Sequence, residues 1–150
     1  MDQRQIQGIL EIVRILRRNQ PIINLLGKLT EGISKIVPCE SVRYDLTDAQ
    51  GRLWSRVVRV GGDPERPEFG DLARLRTYEQ REIRQIEQGY EIKLPLGFGE
   101  LVSGRLIVQR KGPRFTEEEI KLLESCADIF TLGLRARPFE PPPKPRSPFD

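Results

Sequence analysis

The chain has 150 residues and a mass of 17.3 kDa, enough to bury one core and too few for two independent ones. Its 37% apolar and 31% charged residues are those of a globular protein, and no stretch approaches the ~20 consecutive apolar residues that a membrane-spanning helix needs. Histidine is absent, which removes the usual general base near neutral pH, the commonest metal ligand and every Ser-His or Cys-His nucleophile pair.

The two cysteines, Cys39 and Cys126, stand far apart without CxxC or CxxxC spacing, so two buried thiols are expected rather than a zinc site or a redox pair. A net charge of +3, from 25 basic and 22 acidic residues, describes a mixed surface, and nucleic acid is not an expected partner. The opening residues lead directly into an amphipathic pattern with no secretory signal, which predicts a soluble cytoplasmic protein. No metal, cofactor or membrane association is expected.

Residues 2–19 place Ile6, Ile9, Leu10, Val13 and Leu16 at steps of three and four, the period of a helix with one buried stripe. Pro21 suits the first turn of a second helix, in which Ile22, Leu25, Leu26, Leu29, Ile33 and Ile36 repeat the pattern until Pro38. The period then changes to two. Val42, Tyr44 and Leu46 alternate with Ser41, Arg43 and Asp45, residues 47–51 supply a turn, and residues 53–60 return as the second strand of a hairpin. Trp54, Val58 and Val60 share a face that Arg56 interrupts.

Residues 61–70, with Gly61-Gly62, Pro64 and Pro67, read as an exposed loop. Over residues 71–88 a lightly anchored helix is predicted from Leu72, Leu75, Ile83 and Ile86, with Gly89 as its stop. Two more strands follow at residues 90–96 and 101–108, joined by Gly97-Phe98-Gly99, with Pro95 marking a strand end or edge. Thr116 and Glu119 then form an S/T-x-x-E capping box behind Phe115, opening a helix to about residue 136. Residues 137–150 contain six prolines, including the PxxP element ending at Pro145, and are expected to be extended and disordered.

The order is α+β, with an antiparallel sheet between helical layers, N-terminal helices and a long C-terminal helix. Its second half resembles a known family. Ile92-Lys93-Leu94-Pro95-Leu96, then Gly104-Arg105-Leu106-Ile107-Val108, then Phe115-Thr116-Glu117-Glu118-Glu119 is similar to the ending of a GAF domain. The resemblance is specific over residues 90–136 and weaker over 20–60. It divides the chain into an N-terminal helix (1–19), a stand-alone GAF-like domain (20–136) and a proline-rich tail (137–150). Thr116, Glu119, Pro95 and Gly104 read as structural residues, Gly104 where the sheet meets a helix closely.

The resemblance implies a sensory or regulatory module, with a small-molecule cavity on one sheet face and a helical dimer layer on the other. Neither the Asn-Lys nor the Phe-Asp-Glu signature of cyclic-nucleotide members occurs, and no cysteine stands beside a histidine as in bilin-binding members. Free methionine-sulfoxide reductases are GAF-like proteins of similar size, but Cys39 and Cys126 do not reproduce their cysteine arrangement. The cavity is expected between the sheet and residues 61–89, near Trp54, Val58, Phe69, Tyr78, Tyr90 and Phe98, for an unidentified ligand.

Two surfaces are expected to meet partners. Ile120, Leu123, Ala127, Phe130 and Leu134 form one apolar stripe of the last helix beside Leu122, Cys126 and Ile129. Together with Ile6, Ile9, Val13 and Leu16 they are assigned to a homodimer interface. Nineteen of the 25 basic residues are arginine, and Arg43, Arg52, Arg56 and Arg59 form an expected anion or protein contact, as does the proline-rich tail. The expected function is a non-enzymatic regulatory or interaction module, with small-molecule sensing second and thiol redox chemistry third.

Overall fold

A computed structural model describes residues 1–48, 52–62, 66–70, 81–98 and 101–136, with only the backbone described at 70, 98 and 101–103. The elements run α1 (Gln3–Leu16), a 3-10 turn (Ile22–Leu25), α2 (Leu26–Ile36), β1 (Ser41–Thr47), β2 (Leu53–Arg59), β3 (Glu68–Gly70), β4 (Glu82–Ile86), β5 (Gly89–Phe98), β6 (Leu101–Arg110) and α3 (Glu117–Ala136). The strands form one antiparallel sheet in the order β3-β2-β1-β6-β5-β4.

The helix starts are chemically defined. Asp2 caps α1 by accepting from the Gln5 backbone N–H at 2.8 Å, while the Gln5 side chain accepts from the Asp2 N–H at 2.9 Å. This D-x-x-Q box was as legible as the one that opens α3. There, Glu119 N donates to Thr116 Oγ1 at 3.1 Å and Thr116 N to Glu119 Oε1 at 2.9 Å. α1 and α2 cross where Gly8 and Gly32 remove side-chain bulk: a Cβ on Gly8 would lie 2.9 Å from the Gly32 carbonyl oxygen. α1 also runs beside α3 in parallel, with the Met1 amine 3.8 Å from Glu118 and Leu16 packed on Gly133 at the other end.

One sheet face and the three helices make the core. Val42, Tyr44, Leu46, Trp54, Val58, Ile92, Leu94, Leu96, Leu106 and Val108 cluster with the buried stripes of α1, α2 and α3. Tyr44 carries a hydroxyl from that sheet row into the core, where it lies 2.8 Å from Thr30 Oγ1. Both hydroxyls also reach the Leu26 carbonyl oxygen, Thr30 Oγ1 at 2.8 Å and the Tyr44 hydroxyl at 3.4 Å.

Two expectations change. Residues 82–88 are not the end of a helix: Glu82–Ile86 is strand β4, paired with β5, and Gly89 begins the returning strand. Pairing with β5 overrides the helix propensity of Glu, Arg and Gln in that stretch. Likewise Glu68–Gly70 extends the sheet where a loop was expected. The rest of the predicted helix, 71–80, and the proline-rich tail, 137–150, lie outside the described residues. The atoms nearest Gly104 belong to the sheet and not to a helix. A Cβ there would fall 2.1 Å from the Asp45 carbonyl oxygen, so the close neighbour is the backbone of β1.

Candidate functional site

Period-two alternation gives the sheet a second face, opposite the helices, and that face is charged. Asp45 on β1 stands opposite Ser55 on β2 and Arg105 on β6, and the next row places Arg43 beside Val57 and Ile107. Lys93 on β5 faces Ile107, and Glu91 faces both Gln109 and Arg84. Leu53 and Ile107 are buried apolar residues on this side outside the helix-side cluster.

Asp45 is fully buried, and its carboxylate collects three donors. Ser55 Oγ donates to Oδ1 at 2.5 Å, Arg43 Nε donates to Oδ1 at 3.0 Å, and Arg105 Nε donates to Oδ2. A second group lies across β5 and β6. Gln109 Nε2 donates to Glu91 Oε1 at 2.7 Å and Arg84 Nε to Oε2 at 2.6 Å. Burial pulls the Glu91 pKa up, but these bonds and the charges of Arg84 and Lys93 outweigh it and leave the carboxyl below its ordinary value.

A cleft of about 600 Å³ opens at the end of this face. Ser41, Arg59 and Gln109 are aligned on its floor, because Ser41 is the register partner of both others. Val60, Gln88 and Lys111 complete its polar and apolar walls. Backbone bonds brace it: Glu40 N donates to the Gln109 carbonyl at 3.1 Å and Val60 N to the Glu40 carbonyl at 2.9 Å. The Glu40 side chain accepts from the Lys111 backbone N–H at 2.9 Å.

The aromatic residues expected to line a cavity do not gather there. Trp54 and Val58 are buried on the helix side, and Tyr90 shares that side as the partner of Arg110. Phe69 pairs with Trp54 on the same side, 51% exposed. Tyr78 and the Phe98 side chain lie outside the described residues. Residues 54, 58 and 90 share the face of Val42, Tyr44 and Leu46, whereas Arg43, Asp45, Glu91, Lys93 and Arg105 lie on the other.

The arginines also separate. Arg43 and Arg59 lie on the charged face, Arg56 sits on the helix side with its guanidinium 5.9 Å from the Trp54 ring, and Arg52 is bound to Asp48 at 2.9 Å in the β1–β2 turn. They make no single patch.

Of the nine residues assigned to a dimer surface, Ile120, Leu123, Ala127, Phe130 and Leu134 are buried within one chain against the sheet. They are core residues, since one stripe of α3 must cover the sheet. Ile9 and Leu16 pack partly on the core and Val13 is half-buried. Exposed apolar area remains on another stripe: Ile6 is 45%, Leu10 46% and Leu132 58% exposed.

Both thiols are free, and burial pushes each up to about 12. Among the described residues there is no group of three or more His, Cys, Asp or Glu side chains able to hold a metal ion, and no helix is long and apolar enough to cross a membrane.

The six-stranded order and its helical layer match solved structures. The GAF domain of an Acinetobacter phosphoenolpyruvate-protein phosphotransferase superposes with a TM-score of 0.63 at 13% identity, covering 91% of this chain and 95% of that one. The fold is GAF-like. The A. aeolicus Nlh2 GAF domain in an inactive state gives 0.63 at 11% identity, with 89% and 97% covered. A bacteriophytochrome from R. palustris, RpBphP3, gives 0.65 at 10%, with 91% of this chain and 38% of that one covered. No family model matches the sequence, and no curated protein does.

Proposed function

We propose that this GAF-like chain is a non-enzymatic, cytoplasmic regulatory and protein-interaction module that pairs with a second copy through the outer surface of α1 and α3. The observation that carries the reading is the exposed apolar set Ile6, Leu10 and Leu132 on two helices that run side by side in parallel. Surface apolar residues scattered singly need no partner, whereas several on adjoining helices support an interaction surface. The GAF domains it resembles, one of a phosphotransferase and one captured in an inactive state, support a regulatory role. The arginines and residues 137–150 are the segments offered to a different protein.

The charged sheet face supports a role without chemistry, because Asp45 is already neutralised by Arg43 and Arg105. Thiols held near 12 carry little thiolate at neutral pH, which disfavours a thiol reductase. Small-molecule sensing is the second reading, favoured by the 600 Å³ cleft, a size within the usual range for ligand sites.

Light scattering on a sizing column tests the first reading. Wild type is expected at twice the chain mass, and the Ile6→Glu, Leu132→Glu double variant at one chain mass with an unchanged circular-dichroism spectrum. A wild-type monomer across the accessible concentration range would overturn it.

A further inference from the structure

The cleft at the end of the charged face has a definite chemistry. Three cationic residues line it, Arg59 on β2, Arg110 at the end of β6 and Lys111 just after it, against one carboxylate, Glu40, which accepts from the Lys111 backbone N–H. Arg110, in the same wall, is spent on Glu119, yet its positive field still reaches Cys39 and lowers the thiol pKa against the larger effect of burial. Neutral hydrogen-bonding groups converge on the same space. Among the described residues none bonds the Ser41 hydroxyl, the Gln88 amide or the Lys111 ammonium, while Gln109, also in the lining, commits Nε2 to Glu91 and keeps its amide oxygen as an acceptor. Ile86 and Val60 add an apolar patch.

Strand-borne groups of this kind are positioned before a ligand arrives, because register fixes Ser41 between Arg59 and Gln109. Cationic donors beside hydroxyl and amide donors suit an oxyanion, and the hydrogen-bond acceptor on Gln109 with the apolar patch suits the hydroxylated or short carbon body attached to it. We propose that the cleft binds a small metabolite carrying a phosphate or carboxylate group, anchored by Lys111 and Ser41. The inference rests on the ligand-sensing reading and is independent of dimerisation.

Nitrogen-15 NMR titration of the full chain at physiological ionic strength tests it, with glycerol 3-phosphate and citrate as probes and glycerol as the uncharged control. Saturable shifts are expected at the amides of Ser41, Gln88 and Lys111 with at least one anion and none with glycerol. Which anion binds distinguishes phosphate from carboxylate. Lys111→Gln is expected to weaken that binding about tenfold, the scale of one charge-assisted hydrogen bond, while the ligand-free melting temperature stays put. Absence of saturable shifts with both anions, equal binding of glycerol, or binding unaffected by Lys111→Gln would overturn the proposal. The mass of the ligand-free protein reports on dimerisation separately, so the two readings fail by different observations.

Discussion

Arg110 at the end of β6 grips Glu119 in the first turn of α3 through both arms of its guanidinium, Nη1 to Oε2 and Nη2 to Oε1, each at 2.6 Å. The same guanidinium donates to the carbonyls of Pro38, Pro113 and Arg114 and lies 4.4 Å from the Phe115 ring centroid. One buried cation thus ties β6, the loop before β1 and the start of α3 together. Glu119 meanwhile closes the capping box, so a single carboxylate serves both the helix end and the sheet.

The hydrogen bonds from Arg110, helped by those from Thr116 and by the Arg110 charge, overcome burial and hold the Glu119 carboxyl below its ordinary pKa. A carboxyl depressed in the fold stabilises above its unfolded pKa, and the contribution is lost as pH falls through the depressed folded value. Wild type is therefore expected to lose stability on acidification below about pH 4.3, and Glu119→Gln to lose less over that window. Arg110→Met is expected to cost about 3 kcal/mol at neutral pH, since it removes five hydrogen bonds and leaves the Glu119 carboxylate without its cation. Urea melts from pH 3 to pH 7, approximately, would show both, and parallel pH profiles of wild type and Glu119→Gln would refute the first.

Asp45 makes a different use of arginine. With no exposure and three donors, its carboxylate neutralises Arg105, itself 6% exposed. Removing one partner of such a pair leaves a buried charge uncompensated, so Asp45→Ala is expected to cost about 3–5 kcal/mol. Replacing both, as Asp45→Leu with Arg105→Met, is expected to recover most of that loss, because a buried ion pair contributes little over a well-packed apolar pair. Denaturant midpoints of wild type and the two variants decide it. A double variant as unstable as Asp45→Ala would mean that the network organises the face beyond its own charges.

How far these features are legible in sequence depends on how local their causes are. The Thr116–Glu119 cap and the β1–β2 and β5–β6 hairpins rest on neighbours within a few residues, and the structure has them. The helical period of α1 is equally local, but the buried side is Gly8, Ile12 and Ile15, while Ile6 and Leu10 of the expected stripe are exposed. Strand β4 is not local, because Glu82–Ile86 becomes a strand only by pairing with β5. The alternation of Arg43 and Asp45 with Val42 and Tyr44 shows two faces, but Arg105, the main partner of Asp45, stands 60 residues on. Trp54 and Val58 of the expected aromatic pocket are core residues for a simpler cause: they share the parity of the core row. Similarly, the stripe Ile120–Leu134 reads equally well as core or interface until the sheet beneath it is seen.

The helix crossing makes its own prediction. A Cβ on Gly8 would lie 2.6 Å from Ile36 Cγ1 and 2.9 Å from a backbone oxygen, whereas one on Gly27, also helical, meets nothing within 4 Å. Alanine favours a helix over glycine by about 1 kcal/mol at either site, so space decides the sign. Gly27→Ala is expected to stabilise by about 0.5 kcal/mol and Gly8→Ala to destabilise by about 1–2 kcal/mol, because the Gly32 carbonyl cannot turn aside without breaking α2. Thermal melts of the two variants would move in opposite directions; a stabilised Gly8→Ala would show that the α1–α2 contact is looser than this.

Cys39 and Cys126 are both pushed up to about 12, mainly by burial, though Cys39 also borders the open cleft. Against a free thiol near 8.5, that is about a thousandfold less thiolate at pH 8, and only the thiolate attacks an alkylating agent. Native protein at pH 8 is therefore expected to react with iodoacetamide orders of magnitude more slowly than protein in urea, with Cys39 the first to react as pH rises because the cleft admits reagent. Mass spectrometry after timed quenching reads each site separately. Rapid modification of Cys39 in the native protein at pH 8 would show a thiol poised for chemistry, and would reopen the redox reading that its burial now disfavours.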